Sequence, residues 1–271
     1  MKKLFLLLTL PYLLSLYACS STSTSESGVE VSEPVEEPKQ PITLSVAPGS
    51  PEYADAILEV TNPTEGETLA SGDSVSFTYN VTNYELGVPT PDADQKALAA
   101  SPKGQHIHLI LNNDPYHAIY DPENFKLALD DGHYVAISFL SRSYHESVKN
   151  PEAYKISQFT VGEGESESVD LSSPMLFYSR PKGTYAGADT EKVLFDFYLA
   201  NTEIGPGGNQ VRVTVNGDTT MMIDQWQPYV LEGLPMGENT VKIELVDSEG
   251  NLVDSPINAE ERTFTLEEGG A

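Results

Sequence analysis

The chain has 271 residues, with 15 lysines and arginines against 41 aspartates and glutamates, and a net charge of −26 at pH 7. So acidic a surface repels phosphate backbones and anionic lipid headgroups, which excludes nucleic acid as a partner. The only cysteine is Cys19, so an internal disulfide and a multi-thiolate metal site are excluded as well.

The first twenty residues carry two lysines, a short apolar run from Leu4 and the sequence LYAC at 16–19. The run is too short for a mature transmembrane helix and is typical of a signal peptide, residues 1–18. The LYAC ending resembles the lipobox of bacterial lipoproteins. This resemblance implies cleavage before Cys19 and lipidation, including palmitate, of that cysteine. An ordinary signal peptide with an unrelated cysteine is the alternative.

The lipobox resemblance also indicates a location. Removal of Lys2 and Lys3 with the signal peptide would take the net charge from −26 to −28. Ser20 follows the cysteine. Lipoproteins that are retained at the inner membrane resemble one another in having an aspartate at this position. We therefore expect a lipid anchor in the outer membrane of a Gram-negative bacterium, with periplasmic and surface orientations both open.

Residues 19–50 are rich in Ser, Thr, Glu and Pro, as in SSTSTSES and VSEPVEEPKQP. Such a composition has too little apolar surface to bury, so this segment is predicted to be a disordered tether. It would hold the folded part of the chain away from the membrane.

From about Leu58 the pattern changes to short runs in which apolar and polar residues alternate. Period-two runs between turn residues are typical of antiparallel sheets, and no long amphipathic helix interrupts them. The runs are at 75–81, 107–111, 135–139, 194–197, 211–215 and 241–245. The predicted fold class is therefore all-β.

The chain also repeats itself. GQHIHLILNND at 104–114 aligns without a gap with GNQVRVTVNGD at 208–218, and strands at 132–140 and 237–246 follow the two copies. An acidic stretch at 162–167 lies between them. Duplication of one β-unit explains this pattern and predicts two domains, residues 51–162 and residues 163–271.

Both copies resemble bacterial immunoglobulin-like domains. The matching residues are LPMG at 234–237, the strand 241–246 and DSEGN at 247–251, and LDDGHY at 129–134 in the first copy. The resemblance implies two tandem immunoglobulin-like β-sandwiches. Tyr134 lies where the tyrosine-corner residue of such domains is found, whereas the second copy has Asn239.

The whole mature chain is similar to uncharacterised envelope lipoproteins of Gram-negative bacteria. SRSYHESVKNP at 141–151 is the stretch most typical of them. Some of these relatives are labelled phosphopeptide-binding, but the sequence contains no obvious basic pocket.

All five histidines lie in the first copy, at positions 106, 108, 117, 133 and 145. The second copy has Gln210 and Arg212 where the first has His106 and His108. The fold therefore does not require imidazole at these positions, which favours a specific role for the histidines.

Strand alternation places His106 and His108 on the face opposite Ile107 and Leu109. If the following hairpin loop has an even number of residues, His117 joins that face, with Asp121 as a fourth ligand. A three-residue loop would turn His117 inward. Imidazoles and a carboxylate suit Zn(II) or Cu(II), so His106, His108, His117 and Asp121 form a hypothetical metal site. The alternative is a polar outer face without a ligand.

A second candidate is the polar loop that contains Arg142, His145, Glu146 and Lys149. Its two basic side chains could hold an anion, and His145 with Glu146 could hold a proton or a metal. A solvated connection between strands is the alternative. The long loop at 85–103, which the second copy lacks, is a further place for binding specificity.

The chain has no GxSxG or HExxH motif and no phosphate loop, so no catalytic or cofactor-binding residue is predicted. We interpret the protein as a lipid-anchored envelope protein with a non-catalytic binding role and a protein or other envelope partner. The alternative is a Zn- or Cu-binding protein that uses the histidine face. An enzyme would need the same metal with an open position and a base such as Glu146.

Overall fold

The computed structural model describes residues 41–163 and 168–270, so the signal peptide, Cys19 and most of the predicted tether lie outside the described residues. Seventeen strands and two short 3-10 helices, Ala93–Gln95 and Gly187–Thr190, make up its regular structure. The strands are β1 Thr43–Val46, β2 Ile57–Asn62, β3 Thr68–Leu69, β4 Ser74–Thr82, β5 His106–Leu111, β6 His117–Ile119, β7 Phe125–Ala128, β8 Gly132–Ser141, β9 Tyr154–Val161, β10 Met175–Arg180, β11 Gly183–Ala186, β12 Val193–Ala200, β13 Gln210–Val215, β14 Thr219–Ile223, β15 Tyr229–Glu232, β16 Gly237–Val246 and β17 Glu260–Glu267.

The strands form two sandwiches with the same plan. In the first, the sheet β2-β4-β7 faces the sheet β3-β9-β8-β5-β6; in the second, β1-β15-β12-β10 faces β11-β17-β16-β13-β14. One parallel pair occurs in each, β3 with β9 and β11 with β17. This arrangement confirms the all-β fold of immunoglobulin-like sandwiches.

Each sandwich has its own apolar core because alternate side chains of both its sheets point inward. Phe77 and Phe159 meet edge to face in the first core, with ring centroids 5.8 Å apart. Phe195 and Phe264 are buried in the second core. Leu109 of the first copy and Val213 of the second occupy equivalent core positions.

A third apolar cluster lies between the sandwiches. The outer face of β5 and β8 contributes Ile110, Ile137 and Phe139, and the outer face of β10 and β12 contributes Phe177 and Tyr198. Phe139 and Tyr198 stack with their ring centroids 4.8 Å apart. This cluster, which we call the seam, is buried because these strands carry apolar residues on both faces.

The last part of the predicted tether is a strand. β1 pairs antiparallel with β15, with Thr43 opposite Glu232 and Val46 opposite Tyr229. Ile42, just before β1, and Leu44 within it are two residues apart and pack on the second core. The prediction of disorder is therefore wrong for Thr43–Val46. This short alternating segment pairs with β15, which would otherwise be an unpaired edge of its sheet.

The corner of both sandwiches is closed by an equivalent hydrogen bond. The Tyr134 hydroxyl donates to the Asp130 carbonyl at 2.8 Å, as in a tyrosine corner. In the second copy, the Asn239 side-chain amide donates to the Pro235 carbonyl at 2.8 Å. Asparagine thus replaces tyrosine with the same partner, four residues back in the chain.

Candidate metal centre

Three histidines meet beside the seam. His106 and His108 lie on the outer face of β5, since Ile107 and Leu109 between and after them point into the first core. Both rings are fully buried, at 0 % exposure. His145 comes from the turn that follows β8 and is half-buried.

The ring nitrogens of these residues converge. His106 Nε2 is 2.9 Å from His108 Nε2 and 3.2 Å from His145 Nδ1, and one nitrogen from each ring lies within 4.8 Å of the others. A tetrahedral ion bound at about 2.0–2.1 Å separates its nitrogen ligands by about 3.3 Å. The two distances from His106 Nε2 are thus close to those between the nitrogen ligands of a tetrahedral metal centre.

The outer nitrogens of two rings are held by hydrogen bonds. His106 Nδ1 donates to the Gly104 carbonyl at 2.9 Å, which leaves a lone pair on Nε2. His108 Nδ1 lies 3.4 Å from the Ser179 hydroxyl of the second sandwich. Hydrogen bonds of this kind orient metal-binding histidines and set their tautomer.

Aromatic rings enclose the cluster. Tyr116 stacks on His108 with a centroid distance of 3.6 Å, and its hydroxyl is 3.2 Å from His145 Nδ1. The ring of Tyr120 lies 4.9 Å from that of His106. Sequence reasoning missed Tyr116 and Ser179, because neither has a spacing that relates it to the histidines.

The surroundings keep the imidazoles neutral. Burial lowers the pKa of His106 to about 4, and the positive charge of Arg180 acts in the same direction. Burial also holds the pKa of His108 and of His145 well below the usual value. At neutral pH all three rings are therefore unprotonated, which is the form that binds metals.

His145 adopts an unusual backbone conformation. Its φ is +70°, and the equivalent residue of the second copy is Gly250, with φ +85°. The turns match: His145 N–H donates to the Arg142 carbonyl as Gly250 N–H donates to the Asp247 carbonyl. A left-handed conformation costs a histidine more than a glycine, so its use here indicates a function for the side chain.

His117 and Asp121 are not part of this cluster, which corrects the predicted ligand set. His117 is opposite Leu109 in the β5–β6 pair, and the seven residues between them are an odd number. His117 therefore shares the core-side face, where its ring lies 6.1 Å from that of Phe125. Asp121 is exposed and accepts hydrogen bonds from the backbone N–H of Glu123 and from the Asn124 side chain.

The polar loop does not form the predicted site either. Arg142 and Glu146 pair at 3.1 Å, and Lys149 pairs at 2.5 Å with Asp196 of the second sandwich. These charges are mostly buried and already compensated, so the loop is neither solvated nor open to an anion. His145 alone points away from these ion pairs, toward the other histidines.

The loop at 85–103 is also held in place. Leu98 packs in a cluster with Tyr144 and with Leu194 and Val230 of the second sandwich. Lys96 donates to the Pro48 carbonyl at 2.8 Å. The loop thus helps to join the two sandwiches near the histidine cluster.

No protein-family model matches the chain, and no curated protein matches it in sequence. Among solved structures, fibronectin(III)-like modules of Clostridium thermocellum CbhA are similar at 12% identity and a TM-score of 0.27, over 78% of this chain and 95% of that one. Within residues 41–163 and 168–270, no helix is long and apolar enough to cross a membrane.

Two further structures are similar at the same low level. SGBP-B of the Bacteroides ovatus mixed-linkage glucan utilization locus, in complex with a heptasaccharide, has 12% identity and a TM-score of 0.21 over 82% of this chain and 47% of that one. The chain thus spans about half of that protein. The two tandem V-type regions of the chitin-binding protein VCBP3 have 8% identity and a TM-score of 0.23, over 78% and 99%. Likeness at these TM-scores carries no argument about function.

Proposed function

We propose that this protein is a lipid-anchored envelope protein that binds a copper or zinc ion through His106, His108 and His145, without catalysing a reaction. The observation that carries the proposal is the convergence of the three ring nitrogens within 4.8 Å. Neutral imidazoles whose nitrogens converge in this way form a donor set that suits both copper and zinc.

The hydrogen bonds around the rings favour a cation at the centre. With Nδ1 of His106 donating to Gly104, its Nε2 offers only a lone pair, and two other imidazole nitrogens approach it at 2.9 and 3.2 Å. An ion accepts lone pairs from all three rings at once, whereas a proton can satisfy only one of these contacts at a time.

The ligand set favours copper over zinc. Imidazole suits both ions, and divalent copper binds nitrogen ligands more tightly than zinc does. In the described part of the chain, the cluster contains no carboxylate. Besides burial, the positive charges of Arg180 and Lys182 lower the pKa of His108 and His145, and they oppose Cu(II) and Zn(II) equally because the two ions carry the same charge.

Two features support binding rather than catalysis. His106 and His108 are fully buried, which restricts access of a substrate to the ion. Glu146, the base that an enzyme would need, pairs with Arg142 and accepts a hydrogen bond from Ser50 at 2.8 Å. It is therefore engaged away from the histidines.

The test is a calorimetric titration of the full chain, purified in detergent and stripped of metal, with Cu(II) and with Zn(II). We expect saturable binding near one equivalent. His145→Gly, which introduces the residue of the second copy, should weaken binding at least about 100-fold while changing the unfolding free energy by no more than about 1 kcal/mol.

The matched control is His117→Ala, which removes a histidine of the same copy from outside the cluster. Its metal affinity should equal that of the unchanged chain. The proposal fails if no saturable binding occurs, or if His145→Gly binds metal as the control does.

The anchor has a separate test. Cys19→Ser should move the protein from the membrane fraction to the soluble fraction and abolish incorporation of labelled palmitate. Persistence in the membrane fraction with unchanged labelling would contradict lipidation at Cys19 and leave the metal centre unaffected.

A further inference from the structure

A second polar cluster lies on the far side of Tyr116 from His108. In the described residues, six buried side-chain nitrogen or oxygen atoms lack a hydrogen-bond partner, and four of them belong to three residues of the second sandwich. They are the Tyr178 hydroxyl, Arg180 Nε, and Arg262 Nε and Nη2. Buried donors in native proteins are almost always paired, so four unpaired donor atoms in one place indicate a bound ligand or water.

These residues are neighbours. Tyr178 and Arg180 are two residues apart on β10, and the Arg262 guanidinium of β17 lies 5.5 Å from the centre of the Tyr178 ring. Arg180 Nη1 donates to the Tyr185 hydroxyl at 3.1 Å. Lys182, half-buried, lies 4.0 Å from the centre of the Tyr116 ring at the edge of the group.

The positive charge of this cluster is poorly compensated. Arg180 is 7 % exposed, and no carboxylate in the described residues forms an ion pair with it. Glu260 lies 3.5 Å from Arg262 Nε, and burial raises its pKa, with the charge of Asp114 acting in the same direction. Arg180 is buried, and Arg262 and Lys182 are partly buried; among the described residues only Arg262 of these three forms an ion pair. Burial of this much positive charge is costly, even in a chain of net charge −26.

The fold does not require these residues. The first copy has Val60, Asn62 and Ser157 where the second has Tyr178, Arg180 and Arg262. Both copies have the same irregularity in strand pairing, between Val60 and Asn62 and between Tyr178 and Arg180. The same backbone thus forms with uncharged side chains at these three positions.

We propose that Tyr178, Arg180 and Arg262 bind a small tetrahedral oxyanion of the phosphate or sulfate class, with Lys182 at the entrance. Guanidinium groups match the geometry of oxyanions, and a phenol adds one more donor. The anion supplies the missing acceptors and the missing negative charge together. The two sites share no ligand, and the Tyr116 ring lies between Lys182 and His108.

The experiment titrates the full chain with inorganic phosphate and with sulfate, at an ionic strength held constant with sodium chloride, by calorimetry and by thermal unfolding. We expect saturable binding and a rise in Tm that chloride does not produce. Arg180→Asn and Arg262→Ser, which introduce the residues of the first copy, should each weaken binding at least about tenfold.

Lys192→Gln is the matched control, because Lys192 is an exposed basic residue of the same sandwich, and its binding should be unchanged. Tyr178→Phe removes one donor, keeps the ring, and should weaken binding about fivefold. The proposal is overturned if neither anion binds saturably, or if the two arginine variants bind as the control does. His145→Gly should retain oxyanion binding, so this test and that of the metal centre fail independently.

Discussion

The two copies differ most on the outer face of their five-stranded sheets. In the second copy this face carries Arg212, Lys242 and Glu244, and both basic groups pair with Glu244 at 2.8 Å. In the first copy the equivalent residues are His108, Ile137 and Phe139, which are fully buried. The same strand plan thus carries partly exposed ion pairs in one copy and a buried seam with a polar site in the other.

On the other sheet of each sandwich, the second copy has the apolar outer face and the first copy has the polar one. The outer face of β10 and β12 in the second copy is apolar at Phe177 and Tyr198, whereas the first copy has Glu59 and Asn80 at these positions. Each copy therefore provides one apolar outer face, and the two meet at the seam. Duplication supplied the scaffold, and later differences on the outer faces determine where ligands can bind.

Ile137→Lys introduces into the first copy the residue that the second copy has at the equivalent position, Lys242. It should have the largest effect on the unfolding free energy. Ile137 is fully buried in the seam, so an unpaired lysine there should cost at least about 3 kcal/mol of unfolding free energy. Urea denaturation measures the change. Lys242→Ile, the reciprocal control on the exposed face, should change it by less than about 0.5 kcal/mol. Equal effects would contradict burial of the seam.

Ser179→Ala tests whether the second sandwich orients a ligand of the metal centre. Ser179 of the second sandwich contacts His108 Nδ1 at 3.4 Å, so its loss should weaken metal affinity about tenfold without removing a ligand. Calorimetry with Cu(II) measures this, and Thr61→Ala at the equivalent position of the first copy should have no effect. Unchanged affinity in Ser179→Ala would mean that this contact does not orient the ring.

The affinity for an oxyanion should fall at high pH, because Lys182 then loses its positive charge. Burial, together with the charges of Arg180 and Arg262, lowers the pKa of Lys182 to about 8. Above this pH Lys182 loses its charge, so affinity for sulfate should fall by up to about tenfold per pH unit and stay level between pH 6 and 7. The phenol of Tyr116 beside it stays protonated in this range, since burial raises its pKa. A flat profile up to pH 10 would exclude Lys182 from the site.

The smallest effect is expected at the corners. Tyr134→Phe removes the bond to Asp130 and should cost about 1 kcal/mol of unfolding free energy. Asn239→Ala removes the bond to Pro235 and, because Asn239 is also bonded to Asn216, should cost somewhat more. Thermal and urea unfolding compare the two. A negligible change in both variants would show that this bond is not what stabilises the corner.

Local alternation was sufficient to predict the fold class and the duplication, because the inward-facing residues of a strand are two apart whatever surrounds them. The match of 104–114 with 208–218 therefore found β5 and β13, which have the same neighbours in the two sandwiches. The concentration of histidines in one copy likewise indicated His106 and His108 before their positions were known.

The other residues of the site depend on contacts between distant parts of the chain. The face on which His117 lies depends on which residue of β5 is opposite it. Turn residues such as Asn112 and Asn113 allow hairpin loops with an odd or an even number of residues, so the sequence does not fix this pairing. His145 reaches His106 across 39 residues of chain, and the Arg180 cluster forms where β10 meets β17. Such contacts depend on the packing of whole sheets, which strand alternation does not specify. Alternation therefore predicts the scaffold, whereas the sites follow from the way the sheets pack.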